Sequence, residues 1–354
     1  MVFSARGPGM TEPTAMRTEI GQQPAALRAT LDSLTPRSGE ATALARDCRQ
    51  VLFIARGTSD NAAVYGTYLL QAHAGMLATL ASPSIATEYH SRLDLSGVLA
   101  VALSQSGATE EIVETLAWAR DCGARTLAIT NGGGSPLTQV ADLAFVTSAG
   151  AELAVPATKT FTTQLAALAV LAIALGADLD PGLLAAVPDE IERMLAAPDD
   201  LEPMVADLAG AVGVVVSGRG HAYAAALELA LKLKEACYLH AMGLSWADLL
   251  HGPIAVVDAN TPAIIVAADS GPALPGSIDL ARRVVAAGAR AYAIGGGPGL
   301  AAASSLAVPG PRLPEWLAPL GLIVPGQLLT EALSRRRGID PDNPRGLSKV
   351  TQTA

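Results

Sequence analysis

Hydroxyl-bearing residues gather at two points in the first half of the sequence. Ser104-Gln105-Ser106-Gly107-Ala108-Thr109 places hydroxyls and an amide in one short run, and Gly57-Thr58-Ser59-Asp60 forms a smaller one. Each follows an apolar run and precedes a helical pattern. In a parallel sheet such loops lie at the carboxyl ends of strands, where ligands bind. A helix N-terminus adds free N–H groups and a partial positive charge that suit a phosphate. Ser59, Ser104, Gln105, Ser106 and Thr109 would then offer neutral donors to a phosphomonoester. Ser and Thr are also ordinary N-caps. That reading suffices for Ser59 alone, and for the Ser-Gln-Ser-Gly-x-Thr run the two readings stand level. No GxxxxGK[ST] occurs, which excludes a P-loop. Gly295-Gly296-Gly297-Pro298-Gly299 lacks the acidic partner of a dinucleotide site and reads as a loop.

A second group lies in a helical stretch from Tyr223 to Leu239. Glu228, Lys232 and Glu235 stand at i, i+4 and i+7 and share one helix face. Spacing alone favours a surface Glu–Lys ladder, worth roughly 0.2–0.5 kcal/mol per pair. The apolar residues between them would instead put these charges at a pocket edge, where a partly buried Glu beside a Lys is a candidate proton shuttle. His251, before Gly252-Pro253, reads as a helix-end residue favoured by the dipole. His73 and His90 have no constellation around them. With His221 and His240 they show no metal-ligand spacing, so a metal site is not expected. Composition makes Pro341 to Thr351 a frayed end.

The elements that must carry these residues alternate in type. Strand-like runs fall at Val51–Ala55, Gly97–Leu103 and Thr126–Thr130, with helical stretches between them. The pattern returns at Val212–Ser217, Ala263–Ala268 and Ala291–Ile294. This rhythm predicts parallel sheets covered by helices on both faces. Landmarks repeat in register: Gly57 with Gly218, Ser106-Gly107 with Ser270-Gly271, and Gly123-Ala124-Arg125 with Gly288-Ala289-Arg290. Two copies of one α/β domain are therefore expected, joined by an acidic helical stretch from Asp178 to Asp207. The second copy carries Asp269-Ser270-Gly271-Pro272 where the first has its hydroxyl run, so only the first should bind an anion. A helix is expected from Glu19 to Leu34, with Pro24 in its first turn, after a disordered tail.

Composition narrows the function. The chain has 354 residues, half of them hydrophobic, and a net charge of −9. Disorder is excluded, and a general nucleic-acid or anionic-membrane binder is disfavoured. The longest apolar run, Leu165 to Ala177, falls short of the roughly 20 residues of a span and reads as a buried helix. The first residues hold no apolar stretch of signal-peptide length, so none is expected. Cys48, Cys122 and Cys237 are odd in number and lack CxxC spacing, which points away from disulfides and towards a reducing cytoplasm.

Taken in order, ARGTSD, SQSGATEE, AGAELAVPATKTFTTQ, ALELALKLKE, LHGP and PRGLSKVT resemble the sugar isomerase (SIS) family. The likeness runs from Glu19 to the end, in the order of the isomerase half of glucosamine-6-phosphate synthase. It implies an α/β chain of two tandem flavodoxin-like domains. The expected division is a tail over 1–18, a first domain over 19–182, a second over 183–325, and a C-terminal helix and active-site tail over 326–354. The resemblance makes Ser59, Ser104, Gln105, Ser106 and Thr109 the phosphate cradle, and Thr58, Glu152 and Val155 substrate-binding residues. Glu235 becomes the base that moves a proton between C1 and C2, with Lys232 its polar partner. His251 becomes the ring-opening residue, reaching over from the neighbouring subunit of a homodimer, and Lys349 the tail lysine that closes over the open-chain sugar.

The synthases begin with a glutaminase domain whose nucleophile is an N-terminal Cys. Here residue 2 is Val and under twenty residues precede the first domain, so ammonia is not expected by that route. Leu244 to His251 and Lys349-Val350-Thr351 resemble the stand-alone SIS-type deaminases, although Met242 replaces the family's usual Glu and Ala157 its usual Ser. The expected activity is loss of ammonia from an aminosugar phosphate without a cofactor. Alternatives are isomerisation or deamination of another phosphosugar, or elimination from an N-acetylated one. A non-catalytic sensor is disfavoured by Glu235, His251 and Lys349.

Overall fold

The computed structural model describes residues 13–196 and 201–349. Ten strands form two five-stranded sheets. The first contains β1 (Gln50–Ile54), β2 (Leu77–Leu80), β3 (Val98–Ser104), β4 (Arg125–Thr130) and β5 (Leu143–Val146), in the order β2-β1-β3-β4-β5. The second contains β6 (Gly213–Gly218), β7 (His240–Ser245), β8 (Ala263–Ala267), β9 (Ala291–Gly295) and β10 (Leu306–Val308), in the order β10-β9-β8-β6-β7. Every pairing is parallel. Numbered from its own first strand, each sheet has the flavodoxin-like order 2-1-3-4-5. The expected α/β fold with two tandem flavodoxin-like domains is what the chain adopts. β3 is buried along its whole length, as a strand covered on both faces must be.

Four helices fill the space between the sheets. Most of the apolar run expected to be buried lies in the helix Lys159–Ala174, which is covered from Lys159 to Ala172; its last three residues follow the helix, and Gly176 is exposed. The helices Thr58–His73, Ala222–Cys237 and Ala318–Arg336 join it in one hydrophobic core that draws on both domains. Ala, Leu and Val supply most of that core, because aromatics are only 4% of the chain.

The ends of the chain depart from expectation. The single helix over 19–34 is two helices, Ala15–Gly21 and Gln23–Leu34, and Pro24 opens the second of them. The expected tail over 1–18 is therefore too long. Thr14 caps the first helix and Met16 is wholly buried, whereas residues 1–12 lie outside the described residues. The expected division at 325/326 falls inside the continuous helix Ala318–Arg336. Gly295–Gly299 is not a plain loop: Gly295 ends β9, and a short helix starts at Gly297.

Candidate active site

The chain runs from β1 to β2 on one side and returns to β3 on the other, so a crevice opens beyond the carboxyl ends of β1 and β3. In open parallel sheets this reversal is where ligands bind. A cavity of about 320 Å³ lies there. Its wall brings together Thr58, Ser59, Ser104, Gln105, Ser106, Thr109, Val155, Lys232, Glu235 and Lys349. Residues scattered over nearly 300 positions of sequence thus meet because strand ends, one helix face and the chain terminus converge.

The hydroxyl run forms a tight turn between β3 and the helix Glu110–Asp121, with Thr109 as its N-cap residue. The Ser104 Oγ lies 3.3 Å from the Thr109 Oγ1 and accepts from the Gly107 N–H at 3.2 Å. The Ser106 Oγ accepts from the Ala108 N–H at 3.2 Å. The Ser59 Oγ accepts from the Gln164 Nε2 at 2.9 Å, which leaves its O–H as a donor.

The charged residues on the helix Ala222–Cys237 are not a surface ladder. Glu228 and Lys232 have side chains only 0% and 1% exposed, whereas Glu235 is 23% exposed; Lys232 and Glu235 line the cavity and Glu228 does not. Glu228 accepts from the Thr58 Oγ1 at 2.9 Å and the Asn61 Nδ2 at 2.8 Å, which ties the second domain to the first. The Lys232 Nζ reaches the Glu235 Oε2 at 2.5 Å, the Thr58 Oγ1 at 3.1 Å and the Glu228 Oε1 at 3.4 Å. Burial works against the Lys232 ammonium, but Glu228 and Glu235 outweigh it and hold its pKa above the ordinary value. The result is one fixed cation between a sealed carboxyl and an accessible one. The sequence spacing was right, and packing against the first domain decided that these charges are internal.

The C-terminal segment is likewise not frayed up to Lys349. The Asp342 carboxylate accepts from the Ala15 and Met16 N–H groups at 2.8 and 2.7 Å, and the Asp342 carbonyl accepts from the Val155 N–H at 2.9 Å. The Arg345 N–H donates to the Tyr238 Oη at 2.7 Å, and its guanidinium lies 4.3 Å from that ring's centroid. Lys349 donates to the Glu152 Oε2 at 2.8 Å and to the Ala154 carbonyl at 2.6 Å. Residues 350–354 lie outside the described residues.

Two expected residues are not on the cavity wall. Glu152 is buried behind it, capping the helix Lys159–Ala174 by accepting from the Thr158 and Thr160 N–H groups at 2.9 and 3.1 Å. Burial would raise its pKa, but Lys349 and these hydrogen bonds hold it below the ordinary value. Its carboxylate therefore meets the cavity only through Lys349. His251 is exposed at the end of the short helix Trp246–Leu250, away from the cavity of its own chain.

Sequence reasoning missed Arg56, Asn61 and the packing role of Glu228. It also missed a histidine pair. The Nε2 atoms of His73 and His221 lie 3.1 Å apart, where the end of one domain's helix meets the start of the other's. Burial, reinforced by His73, lowers the His221 pKa to about 4. Among the described residues no group of three or more His, Cys, Asp or Glu could hold a metal ion. No helix among them is long and apolar enough to cross a membrane.

Comparison with known proteins places this geometry. The model of the SIS domain matches residues 44–174 and 207–305. The glutamine–fructose-6-phosphate aminotransferase [isomerizing] of Thermococcus kodakarensis is 33% identical over 348 residues, which cover 95% of this chain and 58% of that protein. The chain thus spans little more than half the length of such relatives. The C-terminal domain of glucosamine-fructose-6-phosphate aminotransferase from Francisella tularensis superposes with a TM-score of 0.81 at 27% identity, covering 96% of this chain and 100% of that one. Glucosamine-6-phosphate deaminase from Thermotoga maritima shares the fold, with a TM-score of 0.78 at 22% identity over 96% of this chain and 100% of that one.

Proposed function

The chain belongs to the SIS domain family, and on that premise we propose that it converts glucosamine 6-phosphate to fructose 6-phosphate and ammonia. One observation carries the reading. A cradle of neutral donors from the first domain and a reachable carboxyl beside a fixed ammonium from the second share a single cavity. Relatives that carry the names of aminosugar-phosphate enzymes support the choice of an amine-bearing substrate.

In this reading the phosphate docks at Ser59, Ser104, Gln105, Ser106 and Thr109. The open-chain sugar extends towards Thr58, Val155 and the helix Ala222–Cys237. Glu235 removes the proton from C2, giving an enolamine, and the Lys232 ammonium stabilises the charge that builds on O1. Return of the proton to C1 gives a ketimine at C2. Water adds to the ketimine carbon and ammonia leaves, so atoms balance without an external redox partner. Lys349, held by Glu152, covers the open-chain sugar and delays water until that last step. His251 supplies ring opening from a second copy of the chain in a homodimer.

The test is incubation with a panel of sugar phosphates, following ammonia, ketose and water loss by NMR. Ammonia and fructose 6-phosphate are expected from glucosamine 6-phosphate. Turnover only with an N-acetylated sugar would replace deamination by elimination. For the shared site, mixing inactive Glu235→Gln and His251→Ala chains should restore some activity through hybrid dimers. No recovery despite proven subunit exchange would place each site within one chain.

A further inference from the structure

The phosphate cradle has no positive charge of its own, and the helix behind it carries Glu110 and Glu111 in its first turn. Acidic residues at a helix N-terminus oppose a bound dianion. Three cationic side chains lie on the cavity wall: Arg56, Lys232 and Lys349. Lys232 is sealed between Glu228 and Glu235, and Lys349 is held by Glu152.

Arg56 differs from both lysines. It follows β1 and faces the helix Glu110–Asp121. Its Nε and Nη2 donate to the two carboxylate oxygens of Glu111 at 2.9 and 2.8 Å. That contact fixes the guanidinium along one edge only. A guanidinium has five N–H donors. Among the described residues no acceptor meets the Nη1 edge, and the side chain is 49% exposed. Glu111, two residues beyond Thr109, therefore holds a half-open guanidinium against the first turn of the cradle helix. Asp60 also faces Arg56, but it is half buried and its carboxyl is pushed up by burial, with Arg56 pulling the other way.

We propose that Arg56 is a substrate-binding residue whose free Nη1 edge takes the phosphate of the sugar while Glu111 holds the opposite edge. This rests on the phosphosugar reading above and adds a charged, forked donor to an otherwise neutral cradle. Guanidinium–phosphate hydrogen bonds are among the stronger polar contacts available to a protein. A lysine in its place would keep the charge and lose the fork.

The test is calorimetric titration of the full chain with inorganic phosphate and with glucosamine 6-phosphate, on wild type, Arg56→Gln and Arg56→Lys. Melting curves of both variants should match wild type, since the substituted side chain is half exposed. Arg56→Gln should weaken both ligands by about tenfold or more, and Arg56→Lys should recover part of that loss. Inhibition by unphosphorylated glucosamine should not change. Arg56→Gln affinities within twofold of wild type would overturn the assignment and leave the phosphosugar reading standing. So would an equal loss for the unphosphorylated sugar. A wild-type chain that binds neither anion would sink the phosphosugar reading, and the assignment with it.

Discussion

The two domains place a glycine at the same point of the same loop and surround it with opposite chemistry. Gly107 follows β3 with φ +64°, and a Cβ there would lie 2.1 Å from the Ser135 Oγ and 2.8 Å from the Thr130 Oγ1. Gly271 follows β8 with φ +111°, and a Cβ there would lie 2.4 Å from the Glu315 carboxyl. Both loops need glycine for the left-handed backbone and for the lack of room. One is lined by hydroxyls. The other is closed by Glu315, with Asp269 beside it accepting from the Gly297 N–H at 3.0 Å. The two turns share a backbone, and the neighbouring side chains give the first hydroxyls and the second carboxylates. The second domain contributes a helix face instead.

The largest effect should come from that helix. Glu235→Gln removes the proposed base without changing side-chain size, and kcat should fall by about 10²–10⁴. Binding of glucosamine 6-phosphate should persist. Near-normal turnover would mean that the second domain is scaffolding only.

Removal of residues 345–354 is the next test. Folding should survive, because the helix Ala318–Arg336 and the Asp342 contacts remain. Turnover should drop by about 10², the cost of losing a group that orients the substrate, and Lys349→Ala should reproduce much of the loss. Wild-type turnover of the truncated chain would take the tail out of the mechanism.

The loops themselves can then be compared directly. Ser106→Ala and Thr109→Val should each raise KM by about 10- to 100-fold, as expected for a lost hydrogen bond to a charged group, with kcat less affected. Ser270→Ala, at the matching position of the second domain, should change neither constant. An equal effect of both sets would erase the distinction between the domains.

The smallest effect is on stability, where the domains meet. The folded-state pKa of His221, about 4, lies below the ordinary 6.5. The unfolded chain therefore binds more protons between these values, and stability rises with pH across that window. Acidification from pH 7 to 4 should cost roughly 2 kcal/mol through this residue, and His221→Asn should melt with a flatter pH profile. An identical profile for the variant would show that the histidine pair carries no pH dependence.

How much of this was legible in the sequence follows a physical line. The six strands expected from apolar runs lie within a residue of those observed, and they occupy the inner positions of the two sheets. The four not anticipated, β2, β5, β7 and β10, are the edges. These strands are only partly buried, and their apolar runs are absent or no longer than four residues, as in Leu143–Val146 and Leu306–Val308, too short to stand out from the flanking sequence. The cradle was legible because it is local: six consecutive residues between a strand and a helix carry both its hydroxyls and its turn.

Chain order and apolar periodicity determined the repeat and the parallel sheets, and the hydroxyl run lies in one local turn. Helix periodicity also put Glu228, Lys232 and Glu235 on one face, but spacing cannot say whether a face meets water. The first domain decided that, because Thr58 and Asn61 receive Glu228 and seal Lys232 inside. The same holds for Lys349, which looks like a loose end until Asp342, Tyr238 and Glu152 pin its segment across more than a hundred positions of sequence. Burial and pairing are properties of what packs opposite a residue. Where that partner is distant along the chain, only the tertiary structure could decide them.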